Sequence, residues 1–126
     1  MIQIHRVYEP YLPVPKVSRI LVDRLWPRGL SREKAGIDFW AKDWAPSDPL
    51  RVFFHAHPEQ FSLFRKQYRA ELTEKKELIL EQIRPLLAHP VHLLFASRNL
   101  LENNAVVLKE AISEWMEKTG TKTPPV

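Results

Sequence analysis

The fold is decided by residues 20–29, which run Ile20-Leu21-Val22-Asp23-Arg24-Leu25-Trp26-Pro27-Arg28-Gly29. The three leading apolar residues predict a strand buried on both faces, as in a parallel sheet. Two arginines, an acid, an indole and a turn containing proline and glycine follow that strand. Because α/β domains place their ligands at the carboxyl ends of such strands, this stretch predicts an anion site at the edge of a sheet.

The rest of the chain supplies further strands and helices around this stretch. Apolar runs predict strands at 2–8 and 91–96, besides the one at 19–25. Cap residues and helical spacing predict a helix from 47–49 to residue 54 or 55 and one from Asn103 or Asn104 to about 118. Between them, residues 58–84 are predicted as one helix, either continuous or broken near Thr73. Strands that alternate with helices predict an α/β fold, with a small, mostly parallel sheet of three or four strands flanked by helices.

Two segments leave alternatives open. Residues 8–18 are proline-rich and have room for a short fourth strand or a dimer contact. Residues 31–46 allow a helical turn capped by Ser31 and another at 38–44. We predict one compact domain over 1–120 and a disordered tail at 121–126.

Composition excludes several classes of protein. The chain has 126 residues, 44% of them hydrophobic, and no cysteine, which excludes disulfides, thiol nucleophiles and thiolate metal sites. It has neither a signal-like apolar run at its start nor an apolar stretch near the roughly 20 residues of a membrane span. We therefore expect a cytoplasmic protein without membrane contact. No pattern indicates an oligomeric state.

A positive charge balance points to anionic partners. The net charge is +4 and the pI is about 9.5, which is compatible with nucleic acid. The basic residues are scattered among acids and form no long run, so charge alone does not single out nucleic acid.

The predicted ligand residues converge on the sheet edge. If strands 19–25 and 91–96 are parallel, their carboxyl ends share one edge, and arginine there suits phosphate or carboxylate. We predict seven ligand-binding residues: Arg24, Trp26, Arg28, Ser97, Arg98, Asn104 and Tyr68. Among them, the Trp26 indole could stack on a planar ligand and Tyr68 could offer a hydroxyl. The alternative is structural, with the arginines tied to Asp43, Asp48 or Glu71 and Arg98 paired with Glu102.

A reaction is much harder to assign. Asp23 and His55 are the candidate acid/base groups, since both types exchange protons. No metal site is predicted, because His55 and His57 stand without a carboxylate or cysteine cluster; His57 could instead cap the helix at Pro58. No cofactor is predicted either, because a glycine-rich phosphate loop is absent.

Several motifs, taken in order, resemble one known family. Residues 21–29 resemble the hallmark block of the domain-of-unknown-function 488 family, in its YeaO-like branch. Residues 40–47 resemble its W-x-K-x-x-A-P-S segment, and the pairs at 50–51 and 54–55 resemble its L-R and F-H positions. The family's F-x-x-x-Y-x-x-E-L, L-L-Y-[AS]-[AS]-[KR] and N-[HN]-A-x-V-L segments are resembled by residues 64–72, 93–98 and 103–108. Gln67 replaces a common arginine and Phe95 a tyrosine.

The resemblance implies a compact α/β domain and names no activity. Our first hypothesis is therefore a domain that binds an anionic small molecule, such as a phosphate or a nucleotide, with or without catalysis. The second is a module that binds nucleic acid or protein without chemistry.

Overall fold

The centre of the protein is an all-parallel sheet of four strands. A computed structural model of the chain describes residues 1–10 and 16–118. Its strands are β1 (Ile2–Arg6), β2 (Ser18–Leu21), β3 (Phe39–Trp40) and β4 (Val91–Phe95). Their order in the sheet is β1-β4-β2-β3, and every pairing is parallel. This confirms the predicted fold class.

Helices connect the strands and cover the sheet. They are α1 (Arg32–Ala35), α2 (Asp48–Ala56), α3 (Phe61–Glu74), α4 (Lys76–Ile83) and α5 (Asn104–Lys118). Short 3-10 turns occupy Lys42–Trp44, Pro58–Gln60 and Arg84–Leu86. The predicted caps are present, because the Ser31 and Ser47 hydroxyls accept hydrogen bonds from the starts of α1 and α2. Within the described parts of the chain, no helix combines the length and apolarity needed to cross a membrane.

The two faces of the sheet are covered unequally. Alternate strand residues such as Ile20 and Leu93 join a large core with the buried side chains of α3, α4 and α5. On the other face, Leu21 and Leu94 pack with residues of α1 and the loops around it in a smaller cluster. The central strands are therefore buried on both sides, which explains their continuous apolar sequence.

Some predicted boundaries need correction. The strands are shorter than predicted, since β2 ends at Leu21 and β4 at Phe95. The remaining described strand, β3, lies within 38–44, where we expected a helical turn, and only 42–44 of that stretch is helical. The helix predicted over 58–84 is divided at Lys75, close to Thr73, where one of the two alternatives placed a break. The predicted disordered tail lies outside the described residues.

Candidate functional site

The carboxyl ends of β2 and β4 meet at one edge of the sheet. These strands are neighbours, and their register pairs Leu21 with Leu94. The pairing continues past the strands, where the backbone N–H of Val22 donates to Leu94 O at 3.0 Å. The segments that begin with Asp23 and Ala96 therefore leave the sheet side by side, as predicted from the sequence.

The Asp23 carboxylate binds these two segments together. Its Oδ2 accepts from the backbone N–H of Ala96 at 2.9 Å, and its Oδ1 accepts from Asn104 Nδ2 at 3.0 Å. The same Asn104 amide donates to Val22 O at 3.0 Å, while Trp40 Nε1 donates to Asp23 O at 2.8 Å. Burial raises the pKa of Asp23, and the hydrogen bonds from Asn104 and Ala96 act against that rise. Asp23 thus links the ends of β2 and β4 to α5, with one hydrogen bond on each of its oxygens.

Tyr68 comes to the same edge from α3. It is fully buried, and its hydroxyl donates to Trp44 O at 2.6 Å. Burial raises its pKa well above the ordinary value, and the negative charges of Asp23 and Glu71 raise it further, against the opposing charge of Arg24. The tyrosine therefore stays protonated and acts as a hydrogen-bond donor near these charged groups.

Glu71, one turn further along α3, holds the start of α2. Its two oxygens accept from the Ser47 backbone N–H at 2.9 Å and from Ser47 Oγ at 2.5 Å. Ser47 Oγ in turn accepts from the Leu50 N–H at 3.4 Å as the cap of α2. Sequence reasoning paired Glu71 with Arg24 or Arg28 instead, and it missed Ser47 as a partner. We call the set Asp23, Ser47, Tyr68, Glu71 and Asn104 the edge cluster.

Arg24 lies beside the edge cluster and is only partly committed. Its Nε donates to Pro46 O at 2.7 Å and lies 3.9 Å from the carboxylate of Asp48. Its side chain is 20% exposed. Within residues 1–10 and 16–118, nothing accepts a hydrogen bond from its Nη1 or Nη2. The sequence-based pairing of an edge arginine with Asp48 is therefore present as a long contact, and the guanidinium keeps unused donors.

Trp26 and Arg28 occupy the loop that follows. Trp26 Nε1 donates to Leu30 O at 2.7 Å, and the ring packs edge-on against Trp40 with centroids 5.3 Å apart. The guanidinium of Arg32 lies 5.8 Å from the Trp26 ring centroid. The indole thus anchors the loop. The backbone of Arg28 accepts a hydrogen bond from Tyr8 at 2.9 Å, whereas its side chain is exposed.

The loop after β4 places Ser97 and Arg98 at the surface. Ser97 Oγ accepts from the Asn99 N–H at 3.2 Å, and Arg98 is exposed. No ion pair joins Arg98 to Glu102, or to any other acid in the described sections. Asn103, rather than Asn104, caps α5, because its Oδ1 accepts from the Val106 N–H at 3.0 Å. Asn104 is thereby left to bind Asp23.

The histidines lie apart from the edge cluster. His55 is exposed on α2, and no hydrogen bond or ion pair connects it to Asp23. His57 contacts Phe53 and lies 3.6 Å from Glu59, but its side chain does not cap the turn at Pro58. In the segments that the structure covers, no group of three or more metal-ligating side chains is found. The two candidate acid/base residues are therefore not brought together.

Comparison with known proteins identifies the family. The family model described as "Inactive DUF488-N3 subclade" matches residues 1–126. The chain belongs to this DUF488 subclade. It is 38% identical over 109 residues to the uncharacterised protein YeaO of Escherichia coli, covering 86% of this chain and 94% of YeaO. It is 34% identical over 113 residues to the uncharacterised protein Rv3073c of Mycobacterium tuberculosis, covering 89% and 93% of the two chains. No solved structure gives a significant match.

The segments that resemble the DUF488 motifs converge on the edge cluster. Residues 21–29 supply Asp23, 40–47 supply Ser47, 64–72 supply Tyr68 and Glu71, and 103–108 supply Asn104. Each of these side chains is hydrogen-bonded to another part of the edge. In this DUF488 protein the motif-like segments therefore supply side chains that hydrogen-bond to one another and to the backbone along the edge. The cationic groups that remain available to a ligand are the Nη atoms of Arg24, beside the exposed Asp48 carboxylate, and the exposed side chains of Arg28 and Arg98.

Proposed function

We propose that this protein is a binding domain without catalytic activity, and that the carboxyl edge of its sheet binds a small anionic molecule such as a phosphate or a nucleotide. The observation that carries the proposal is the Arg24 guanidinium. Its Nε is fixed on Pro46 O at 2.7 Å, while its Nη atoms have no acceptor among the described residues. An arginine held in one orientation with unused donors is suited to bind an oxyanion through its planar fork.

Neighbouring groups support an anion at this position. Ser97 and Arg98 follow β4 on the strand adjacent to that of Arg24, so a hydroxyl and a second guanidinium lie on the same edge. Arg28 adds a third positive charge in the loop after β2. An anion that approaches this edge meets positive charge from two neighbouring loops, which favours its binding.

Two observations favour binding over catalysis. Both Asp23 oxygens already accept a hydrogen bond from the protein, which orients this carboxylate towards Ala96 and Asn104 rather than towards a substrate. The Glu71 oxygens and the Tyr68 hydroxyl are similarly engaged. The description of the subclade as inactive agrees with this arrangement. We therefore assign no reaction to Asp23 or His55.

Thermal unfolding with inorganic pyrophosphate and with AMP tests the proposal. A ligand at one hundred times its Kd stabilises a protein by about 2.7 kcal/mol, so the melting temperature should rise by several degrees. We expect Arg24→Gln and Arg98→Gln to lose most of that rise. Arg84→Gln is the matched control, since Arg84 is exposed and precedes β4, on the amino side of the sheet.

Ionic strength must be held constant with NaCl, because general screening by the anions would otherwise mimic binding. Circular dichroism and the unliganded melting temperature establish that each variant is folded. Absence of stabilisation by both probes, or an equal rise in the wild type and both edge variants, would refute the proposal. Salt-sensitive retention on single-stranded DNA without any response to pyrophosphate or AMP would favour the nucleic-acid hypothesis instead.

A further inference from the structure

Three leucines are exposed on the same edge of the sheet. Leu25 follows β2 and is 56% exposed, while Leu100 and Leu101 follow β4 and are 57% and 80% exposed. They lie on the loops that also hold Arg24, Arg28 and Arg98. We call Leu25, Leu100 and Leu101 the leucine rim. Isolated exposed leucines are ordinary on protein surfaces, but these three lie on the two loops that leave the adjacent strands β2 and β4.

The loop that presents two of these leucines is held by its own hydrogen bonds. Asn99 Oδ1 accepts from the backbone N–H groups of Leu101 at 3.0 Å and Glu102 at 2.9 Å. Asn99 O accepts from Asn103 Nδ2 at 2.9 Å, and Asn103 is 1% exposed. The loop is thus tied to the start of α5 at one end. Leucines on an ordered loop are preorganised for a partner, which lowers the entropy lost on binding.

The charges around the leucine rim select the partner. Arg28 and Arg98 are exposed, and neither forms an ion pair within the described parts of the chain. The exposed charged side chains on the two loops of the leucine rim are Arg28, Arg98 and Glu102, whereas Arg24 is partly buried beside the Asp48 carboxylate. A segment with acidic side chains beside apolar ones would complement both features, since carboxylates would meet arginines while apolar groups covered leucines.

We propose that the leucine rim is the docking surface for an acidic, apolar segment of a partner protein. The leucines carry this inference, so it does not depend on the small anion proposed above. The arginines contribute selectivity by repelling basic segments. The partner buries Leu100 and Leu101 and places its carboxylates against Arg98 and Arg28.

A displayed library of random 12-residue peptides provides the test. The immobilised full-length protein is used for selection, and the Leu100→Ser/Leu101→Ser variant is used to remove peptides that bind elsewhere. We expect the selected peptides to combine Asp or Glu with Leu, Phe or Trp. The consensus peptide should then bind at least tenfold more weakly to Leu101→Ser and to Arg98→Glu in calorimetric titrations. Leu78→Ser is the matched control, since Leu78 is exposed on α4.

Other outcomes would overturn the inference. A library without an enriched acidic and apolar consensus contradicts it, as does a consensus peptide that binds Leu101→Ser as tightly as the wild type. Concentration-dependent dimers that disappear in Leu101→Ser would identify a second copy as the occupant, and co-sedimentation with phosphatidylserine vesicles would identify a membrane surface. Arg24→Gln distinguishes the two proposals, because it should remove most of the response to pyrophosphate and leave peptide binding within about threefold.

Discussion

The inner and outer parts of the sheet edge differ in how their polar groups are used. In the edge cluster, Asp23, Tyr68 and Glu71 are each bonded to other parts of the protein. A few residues away, Arg98 and Leu101 are exposed. Buried polar groups must find hydrogen-bond partners inside the protein, whereas exposed polar groups can bond to water or to a ligand. The comparison teaches that segments that resemble a family's motifs can hold an edge together through their inner residues while their exposed residues stay accessible.

Replacing Asp23 should destabilise the protein more than any other substitution considered below, and far more than replacing an exposed residue of the edge. In Asp23→Ala, the Ala96 N–H and the Asn104 amide lose their shared acceptor. We expect a loss of about 2 to 3 kcal/mol in the free energy of unfolding at pH 7, measured by urea denaturation. Arg98→Ala is the control and should stay within about 0.5 kcal/mol of the wild type. Equal losses of unfolding free energy in Asp23→Ala and Arg98→Ala would show that the edge cluster does not stabilise the protein more than the exposed residues do.

Two tyrosines, one buried and one exposed, allow the same comparison with a smaller expected loss of stability. Tyr68 and Tyr8 both donate to a backbone oxygen, at 2.6 Å and 2.9 Å, but Tyr68 is buried and Tyr8 is exposed. Tyr68→Phe leaves Trp44 O without its donor in the interior, so we expect it to cost about 1 to 2 kcal/mol. Tyr8→Phe should cost less than about 0.5 kcal/mol, because water replaces the hydroxyl. Equal costs by urea denaturation would show that burial does not set the value of these bonds.

The contrast also explains how much of the fold could be predicted. Local sequence patterns were enough to predict the strand at Ile20, the cap at Ser47 and the apolar faces of the helices, because these features depend on residues close in sequence. Strand β3 has two residues, which is too short for an alternating pattern. It forms because Ile20 and Leu21 of β2 offer it a paired edge, and no local signal encodes that.

The candidate site was predictable in position but less so in its bonding. Parallel strands implied that Asp23 and Ser97 leave the same edge, and in the structure they follow the ends of the adjacent strands β2 and β4. The bond from Ser47 to Glu71 joins residues 24 positions apart in the sequence. The sequence left Asp43, Asp48 and Glu71 open as partners of the edge arginines, and in the structure Glu71 binds Ser47 instead. Which groups are left for a ligand therefore had to come from the structure.

The pH dependence of stability sharpens the comparison through Asp23. Its pKa is raised above the ordinary value of 3.8 in the folded protein, mainly by burial. The folded state thus holds the proton more tightly than the unfolded state, so this group stabilises the fold most below about pH 3.8 and less as the pH rises through the folded pKa. The difference in unfolding free energy between wild type and Asp23→Ala should narrow from pH 4 to pH 7. A difference that widens would mean that its hydrogen bonds outweigh burial.

Replacing Glu114 should have the smallest effect on stability. That effect should change with pH in the direction opposite to the effect of replacing Asp23. Lys118 and Arg69 donate to its carboxylate on the surface between α3 and α5, and they lower its pKa from 4.5 to about 2. Its contribution is therefore present above pH 4.5 and is lost as the pH falls towards 2. The stability difference between wild type and Glu114→Gln should shrink on acidification, and 0.5 M NaCl should reduce it further by screening. For Asp23 the corresponding difference should grow on acidification and resist salt, because buried neutral donors hold that carboxylate. If both stability differences changed with pH in the same direction, the buried Asp23 and the surface Glu114 would not differ in the way that we infer.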